Sequence, residues 1–393
     1  MKILMLLENP IYNDRRARNE IFSLRDNGFQ LTLIHKIEKD KPTEDSFEGV
    51  PLFRILNGFE LHDPKNFAAR KQIVNKIIAE FDFDVLYCHN QLNYHIGKEI
   101  KKQKPNTILI YESRELFHAW PLNVSSYSSK WLMIKSYLVR KYEIIRERKN
   151  AHLTDYVITV CKSLADNLND YLQLKNKAVV LRNIPAKSAS VTQSNNYFRT
   201  HFNLPESTKI LIFIGGSVYL KTLNLEQVID EFGNQPNTAF IMMASDNEGK
   251  KGIFNYVLQK GYSNIFYHPY VPLQKVPETL ASADVGLVPT WNKNDLSYWY
   301  ALDNKLFDYI ISGIPILATQ QPEYKNIVEP FNVGICVNPD EKNAYWNGFN
   351  TIISKNIWQE NLQKAKEELN WENEQKKLIE LFKNIQKQNF NAN

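Results

Sequence analysis

The sequence is poor in cysteine, with Cys88, Cys161 and Cys336 standing isolated among 393 residues. Neither a disulfide framework nor a zinc site is therefore implied, and a reducing, cytoplasmic setting is expected. Apolar runs of about twenty residues, the length a helix needs to span a bilayer, are absent. The opening Met1-Lys-Ile-Leu-Met-Leu-Leu-Glu8 has neither the length nor the cleavage site of a signal peptide. A soluble chain, or one peripheral on the inner face of the cell membrane, is the expectation. No internal repeat, no recognised nucleic-acid module and no cluster of metal-ligating residue types is legible, so no metal is expected.

What is present is ordinary globular usage: 43% apolar and 23% charged residues, over a length ample for two core-bearing domains. The net charge of +5 conceals an asymmetry. Residues 1–190 hold 30 Lys and Arg against 22 Asp and Glu, and the remainder holds 18 against 21. A basic first half suits an anionic partner such as lipid head groups, a phosphorylated carrier lipid or nucleic acid. The missing module and the mildly acidic second half disfavour nucleic acid. Between 119 and 150, Trp120, Tyr127, Trp131, Tyr137 and Tyr142 are mixed with Lys130, Lys135, Arg140, Lys141, Arg146, Arg148 and Lys149. That mixture fits a helix resting on anionic lipid, and equally a partly buried helix with a solvated basic face.

The stretch 298–319 organises the rest. Asp303 is placed to cap a helix whose Leu306, Phe307, Ile310 and Ile311 follow helical spacing, and Gly313 with Pro315 ends it before a strand at 316–318. A helix opening at the carboxyl edge of a parallel sheet aims unpaired N–H groups and its positive dipole end into the crevice, where a phosphate can sit. Lys305 adds charge there, and Asp308, one turn on, can hydrogen-bond a hydroxyl pair. Elsewhere strands are expected at 2–7, 29–35, 85–88, 107–111, 155–160 and 178–181, then at 209–214, 239–244, 265–267 and 284–289. Helices are expected near 15–27, 67–81, 96–104, 162–172, 274–281, 344–355 and 359–386, with one beginning near Asn224. Residues 40–66, with Pro42, Pro51 and Pro64, read as irregular, and 186–196 as a polar linker.

The run 301–318 resembles the carboxy-terminal signature of retaining, nucleotide-sugar-dependent glycosyltransferases of the GT-B fold, the group 1 or family 4 type. It is closest to the branch reading Asn-Lys-Leu-Phe-Glu-Tyr before a Gly-x-Pro turn. In that family two glutamates stand eight positions apart, the second binding the donor ribose and the first lying near the transferred sugar. Asp308 matches the second, and Tyr300 falls on the first. The resemblance extends along most of the chain and implies an α/β protein of two doubly wound Rossmann-like domains facing across a cleft. Residues 1–185, joined by a terminal helix over 373–393, would bind the acceptor, and 191–372 the donor.

Residue by residue, Gly215, Gly216, Ser217 and Lys221 fall on the family's diphosphate loop. The arginine usual there is missing, and Lys305 is the candidate substitute. Val271 matches a turn that edges the nucleotide base, and Asn304, Lys305 and Leu306 open the donor helix. The segment from Tyr111 to Phe117 resembles the family's Tyr-Asp-x-His-Glu-Leu-Phe, with Glu112 for the aspartate and Arg114 for the histidine beside the transferred sugar. A guanidinium cannot act as a base near neutrality, but it can bind a hydroxyl, carboxylate or phosphate. Acceptor-side candidates are Asp14, Arg15 or its neighbour Arg16, His89, Glu115 and His118. The Asp82-Phe-Asp84 triplet looks like the metal-binding Asp-x-Asp of GT-A glycosyltransferases, but it enters its strand at the edge away from ligands.

The function so implied is transfer of a sugar from a UDP- or GDP-linked donor to a glycan or lipid-linked acceptor, with retention, in cell-surface polysaccharide or glycoconjugate synthesis. Lys221, Asp308 and Arg114 are the catalytic candidates. Lys221, Lys305 and the amides near Asn304 would stabilise the departing diphosphate, with no cofactor required. Two alternatives stay open: a sugar-nucleotide epimerase on the same fold, and a degenerate binding or scaffolding subunit, suggested by Tyr300, Arg114 and the missing arginine.

Overall fold

The computed structural model describes residues 1–8, 11–12, 14–57, 66–119, 130–191, 194–216, 218–221 and 223–391. The chain divides into two compact units, Met1–Asn183 with Glu374–Asn393, and Ile184–Asn373.

The first unit runs β1 (Lys2–Leu6), α1 (Arg15–Asp26), β2 (Gln30–Lys36), β3 (Glu44–Phe47), β4 (Val50–Leu56), α2 (Phe67–Glu80), β5 (Val85–His89), α3 (Asn90–Gln103), β6 (Ile108–Ser113), α4 (Lys130–Arg148), β7 (Tyr156–Thr159), α5 (Lys162–Leu172) and β8 (Val179–Val180). Among the described residues these strands form one sheet in the order β3-β4-β2-β1-β5-β6-β7-β8. Only β3 runs antiparallel, to β4. The central strands are apolar on both faces, as helices on both sides require: Ile3 to Leu6 are at most 1% exposed. The Asp14 carboxylate caps α1 by accepting from the Ala17 N–H at 3.1 Å, and Gly28, at φ +84°, turns the chain into β2.

Residues 40–66, read from their prolines as irregular, hold β3 and β4. Glu48 and Gly49 both have positive φ, +50° and +81°, which is the geometry of a tight two-residue hairpin. Glu44, Asp45 and Ser46 keep the edge strand polar and exposed. Helix α3 begins six residues before the apolar spacing predicts. Its first turns carry polar side chains that satisfy backbone, Asn93 Nδ2 donating to the carbonyls of Leu6 (3.1 Å) and His89 (3.0 Å).

The second unit runs α6 (Tyr197–His201), β9 (Lys209–Gly215), α7 (Leu225–Phe232), β10 (Thr238–Ala244), α8 (Glu248–Lys260), β11 (Ile265–Pro269), α9 (Val276–Leu280), β12 (Val285–Val288), α10 (Leu296–Trp299), α11 (Asn304–Ser312), β13 (Ile316–Thr319), α12 (Pro322–Phe331), β14 (Gly334–Val337), α13 (Ala344–Ile353) and α14 (Trp358–Glu368). Helix α15 (Trp371–Asn391) starts here and belongs to the first unit from Glu374, where Phe382 packs against Phe29 and Tyr87. The sheet is β11-β10-β9-β12-β13-β14, all parallel.

Each sheet reverses direction once, between β1 and β5 and between β9 and β12, and ligands of such sheets bind at the carboxyl ends there. The β9–β12 pairing covers only Leu211↔Val285 and Ile212↔Gly286. The Tyr309 hydroxyl from α11 sits between the strands, accepting from the Ile214 N–H (3.2 Å) and lying 3.0 Å from the Leu287 carbonyl. Gly286 makes room for it, since a Cβ there would come within 2.3 Å of the Tyr309 ring. The helix expected to meet a phosphate is thereby fixed under the switch point.

Candidate functional site

In the second unit the donor-side candidates converge on this edge. Gly215 ends β9, and Gly216 follows it with nothing within 4 Å of an added Cβ, so packing within the protein does not require glycine there. Ser217 lies outside the described residues. Lys221 is exposed and forms no ion pair among the described residues. Gly249, in the first turn of α8, was not singled out from the sequence. A Cβ on it would meet the Val218 carbonyl at 1.8 Å, so glycine is what lets α8 close against the loop carrying Lys221. Val271, half-buried, follows β11 at a turn tied to β10 by the Tyr270 N–H donating to the Ala244 carbonyl at 3.0 Å.

Asp303 occupies the N-cap position of α11, yet its side chain makes no capping hydrogen bond, contrary to expectation. It turns aside to accept from Lys305 Nζ (2.8 Å), the Tyr324 hydroxyl (3.0 Å) and Thr290 Oγ1 (3.4 Å). Burial pushes its carboxyl upward, and the Lys305 ammonium and these hydrogen bonds outweigh that and hold it ionised. Lys305 is thus aimed by Asp303 and lies 5.2 Å from the centre of the Phe213 ring. The Leu306 side chain is core, and its N–H donates to the Asp303 carbonyl at 3.2 Å. The amides of Asn304 and Lys305 remain as first-turn donors without an intrahelical acceptor. Asp308 is buried one turn on, its carbonyl accepting from Ser312 Oγ at 2.6 Å.

In the first unit, the carboxyl ends of β5 and β6 meet the opening of α1 in a buried ion network. Arg16 is fully buried and pairs with Glu20 (3.0 Å) and Glu112 (2.7 Å), while its Nη1 donates to the Leu181 carbonyl at 2.5 Å. Arg114 donates from Nε to Glu112 (2.6 Å), from Nη1 to Asp14 (2.6 Å) and from Nη2 to His89 Nδ1 (3.1 Å). All three of its nitrogens are therefore engaged inside the protein. Of the two arginines opening α1, it is Arg16 that joins the network; Arg15 is half-buried beside it. Glu20 and Tyr87 were not singled out from the sequence, and Arg16 was named there only as the alternative to Arg15.

The protonation states follow from the geometry. Burial and the neighbouring Glu112 push the Glu20 carboxyl well above the ordinary carboxylate range, against the pull of Arg16. Burial also penalises Glu112, but the Arg16 and Arg114 guanidinium groups outweigh it and hold that carboxylate ionised, with the Tyr87 hydroxyl donating at 2.6 Å. Burial lowers His89 to about 4, leaving it neutral. Glu20, His89 and Glu112 bring three ligand-type atoms within 4.8 Å of one another. Two guanidinium groups already engage the carboxylates and one holds His89 Nδ1, so the donor set suits a closed hydrogen-bond network and repels a divalent cation.

Two further acceptor-side candidates lie just beyond β6. Glu115 is exposed, and His118 stacks on the Tyr171 ring at 3.7 Å.

Compared as a sequence, the chain matches no protein-family model and no curated protein. Its structure is similar over its whole length to sucrose-phosphate synthase from Thermosynechococcus elongatus, with TM-score 0.76, 15% identity and 100% of both chains covered. HepE of Anabaena, solved with UDP-glucose, aligns at TM-score 0.73 and 12% identity over 98% of this chain and 100% of that one. An α,α-trehalose 6-phosphate synthase from Burkholderia multivorans aligns at TM-score 0.71 and 10% identity, covering 100% and 97%. These are GT-B proteins, and the fold of this chain is GT-B.

Proposed function

We propose that the protein is a glycosyltransferase that moves a sugar from a nucleoside diphosphate donor to a glycan or lipid-linked acceptor with retention of configuration, as in cell-surface polysaccharide or glycoconjugate synthesis. The observation that carries this reading is the opening of α11 at the β9/β12 switch point. There the first turn of α11 carries Lys305, and β9 leads into the loop bearing Lys221, on a GT-B fold whose ligands bind at such a switch point. UDP is the first choice of nucleotide, because HepE was solved with UDP-glucose.

In this reading the second unit binds the donor. Lys221, Lys305 and the Asn304 and Lys305 amides stabilise charge growing on the leaving diphosphate, Asp308 takes the ribose hydroxyls, and Val271 edges the base. No metal is needed for that stabilisation. The first unit binds the acceptor near Asp14, His89, Glu115 and His118. Arg114 holds Asp14 and His89 in place through three of its five N–H donors, and it cannot act as a base.

Placement on the inner membrane face is supported by α4. Trp131 (67% exposed), Ile134 (55%), Leu138 (60%) and Ile145 (63%) form an uncovered apolar stripe beside exposed Lys130, Lys135, Lys141 and Arg148. Apolar insertion flanked by cations is how a helix rests on anionic lipid. No helix among the described residues is long and apolar enough to cross a membrane.

Asp308→Ala is expected to weaken nucleotide-sugar binding by about 1–3 kcal/mol, the range for removing a charged hydrogen-bond partner, with the melting transition retained. Calorimetric titration checks it. An unchanged donor affinity contradicts the ribose assignment.

A further inference from the structure

Three donors converge on one oxygen of the residue that opens α11. Asp303 Oδ2 accepts from Lys305 Nζ at 2.8 Å, from the Tyr324 hydroxyl at 3.0 Å and from Thr290 Oγ1 at 3.4 Å. Tyr324 stands in the first turn of α12 and is fully buried. Burial and the adjacent Asp303 charge push its phenol well above the ordinary tyrosine range, so it stays a hydrogen-bond donor. Thr290 is braced from the same turn: its carbonyl accepts from Thr319 Oγ1 at 2.7 Å and from Gln321 Nε2 at 2.8 Å. Thr319 ends β13 and Gln321 occupies the N-cap position of α12. The β13–α12 turn therefore fixes both of the neutral donors to Asp303.

The backbone of Asp303 already has extended N-cap geometry, φ −66° and ψ 130°, while its side chain makes no capping hydrogen bond. An aspartate so placed ordinarily accepts from the second or third helical amide, and its charge is favourable at the positive end of the helix. Rotation of this one side chain thus has two outcomes. Turned towards Lys305 Nζ, as it stands, it fixes a flexible lysine and leaves the first-turn amides uncapped. Turned onto its own helix, it would take the Lys305 or Leu306 amide and set a negative charge where an anion is to bind.

We propose that Tyr324 is a positioning residue of the diphosphate site: by holding Asp303 on Lys305, it keeps the protein's own carboxylate off the amides that open α11. The proposal rests on the donor reading above. It places control of that site on the β13–α12 turn, outside the α11 segment itself.

The test is calorimetric titration of the full chain with UDP, and in parallel with GDP, for wild type, Tyr324→Phe, Asp303→Ala and the double variant. Tyr324→Phe keeps the ring in the core and should weaken whichever diphosphate wild type binds by about 3- to 10-fold, a factor typical of one lost hydrogen bond. Asp303→Ala should retain measurable affinity, because no carboxylate is left to turn and the amides stay open. In that background Tyr324→Phe should change affinity by less than about twofold, since its effect runs through Asp303. Should Tyr324→Phe fail to fold, Thr290→Val removes the other neutral donor and carries the same two expectations. Unchanged affinity in folded Tyr324→Phe overturns the proposal. Loss of the same factor with and without Asp303 assigns the tyrosine a merely structural role and also overturns it, as does complete loss of binding in Asp303→Ala. Failure of wild type to bind either diphosphate overturns the donor reading itself, and the proposal with it.

Discussion

Arg16→Ala is expected to destabilise the first unit by about 3–5 kcal/mol, the range for breaking a buried ion pair and leaving its partner charge behind. Arg16 is 0% exposed, and its loss leaves the Leu181 carbonyl without that donor and Glu112 with Arg114 as its remaining guanidinium. The cost should be confined to one unit. Two probes, Trp131 on α4 for the first and Trp346 on α13 for the second, make that visible in urea unfolding. The first transition should move to lower urea and the second should stay in place. A shift worth less than about 1 kcal/mol would show that the network is not structural.

The second large effect concerns α4. Changing Lys130, Lys135, Lys141 and Arg148 together to Glu should abolish binding to anionic vesicles and leave nucleotide affinity unchanged. Each basic residue near such a surface contributes about 1 kcal/mol, so four reversals exceed what sedimentation needs to detect. Arg140 is left out because its Nη2 lies 3.4 Å from the carbonyls of Phe117 and His118, tying α4 to the exit of β6. Wild-type binding should weaken as salt shortens the Debye length. If wild type ignores anionic vesicles at low salt, the stripe is no lipid surface and a carbohydrate acceptor in solution is favoured.

Much of the α/β alternation was legible because central parallel strands read as short apolar runs and most helices carry clear apolar spacing. The errors fall where local chemistry overrides that signal. Pro51 masked β4, although it stands near the strand's start, where the missing N–H is tolerated. Residues 91–95 in the first turns of α3 are buried yet mostly polar, because Asn93 and its neighbours satisfy strand ends. Helix α8 went unseen because Gly249 and Gly252 weaken its helical signature, and at Gly249 the reason is tertiary.

The candidate sites divide the same way. The α11 opening was readable because the residues that form it are consecutive in sequence. The first-unit network was not, because Arg16, Tyr87 and Glu112 come from three separate elements and meet only when the sheet forms. The one local trace was the Arg16 and Glu20 pair at i, i+4 on the face of α1 that also carries Ile21 and Leu24. Asp303 shows a subtler limit. Its N-cap position was evident, but its rotation towards Lys305 depends on Tyr324, twenty-one residues away.

The central claim is that this chain breaks the bond between a sugar and a nucleoside diphosphate. The most direct measurement is release of the free diphosphate from a panel of UDP- and GDP-sugars, with glycan and lipid-linked acceptors and with EDTA present. At least one donor should yield diphosphate above the enzyme-free rate, with the chelator having no effect and Asp308→Ala much slower. Absence of release from every donor, with acceptors present and magnesium or manganese restored, would contradict the account.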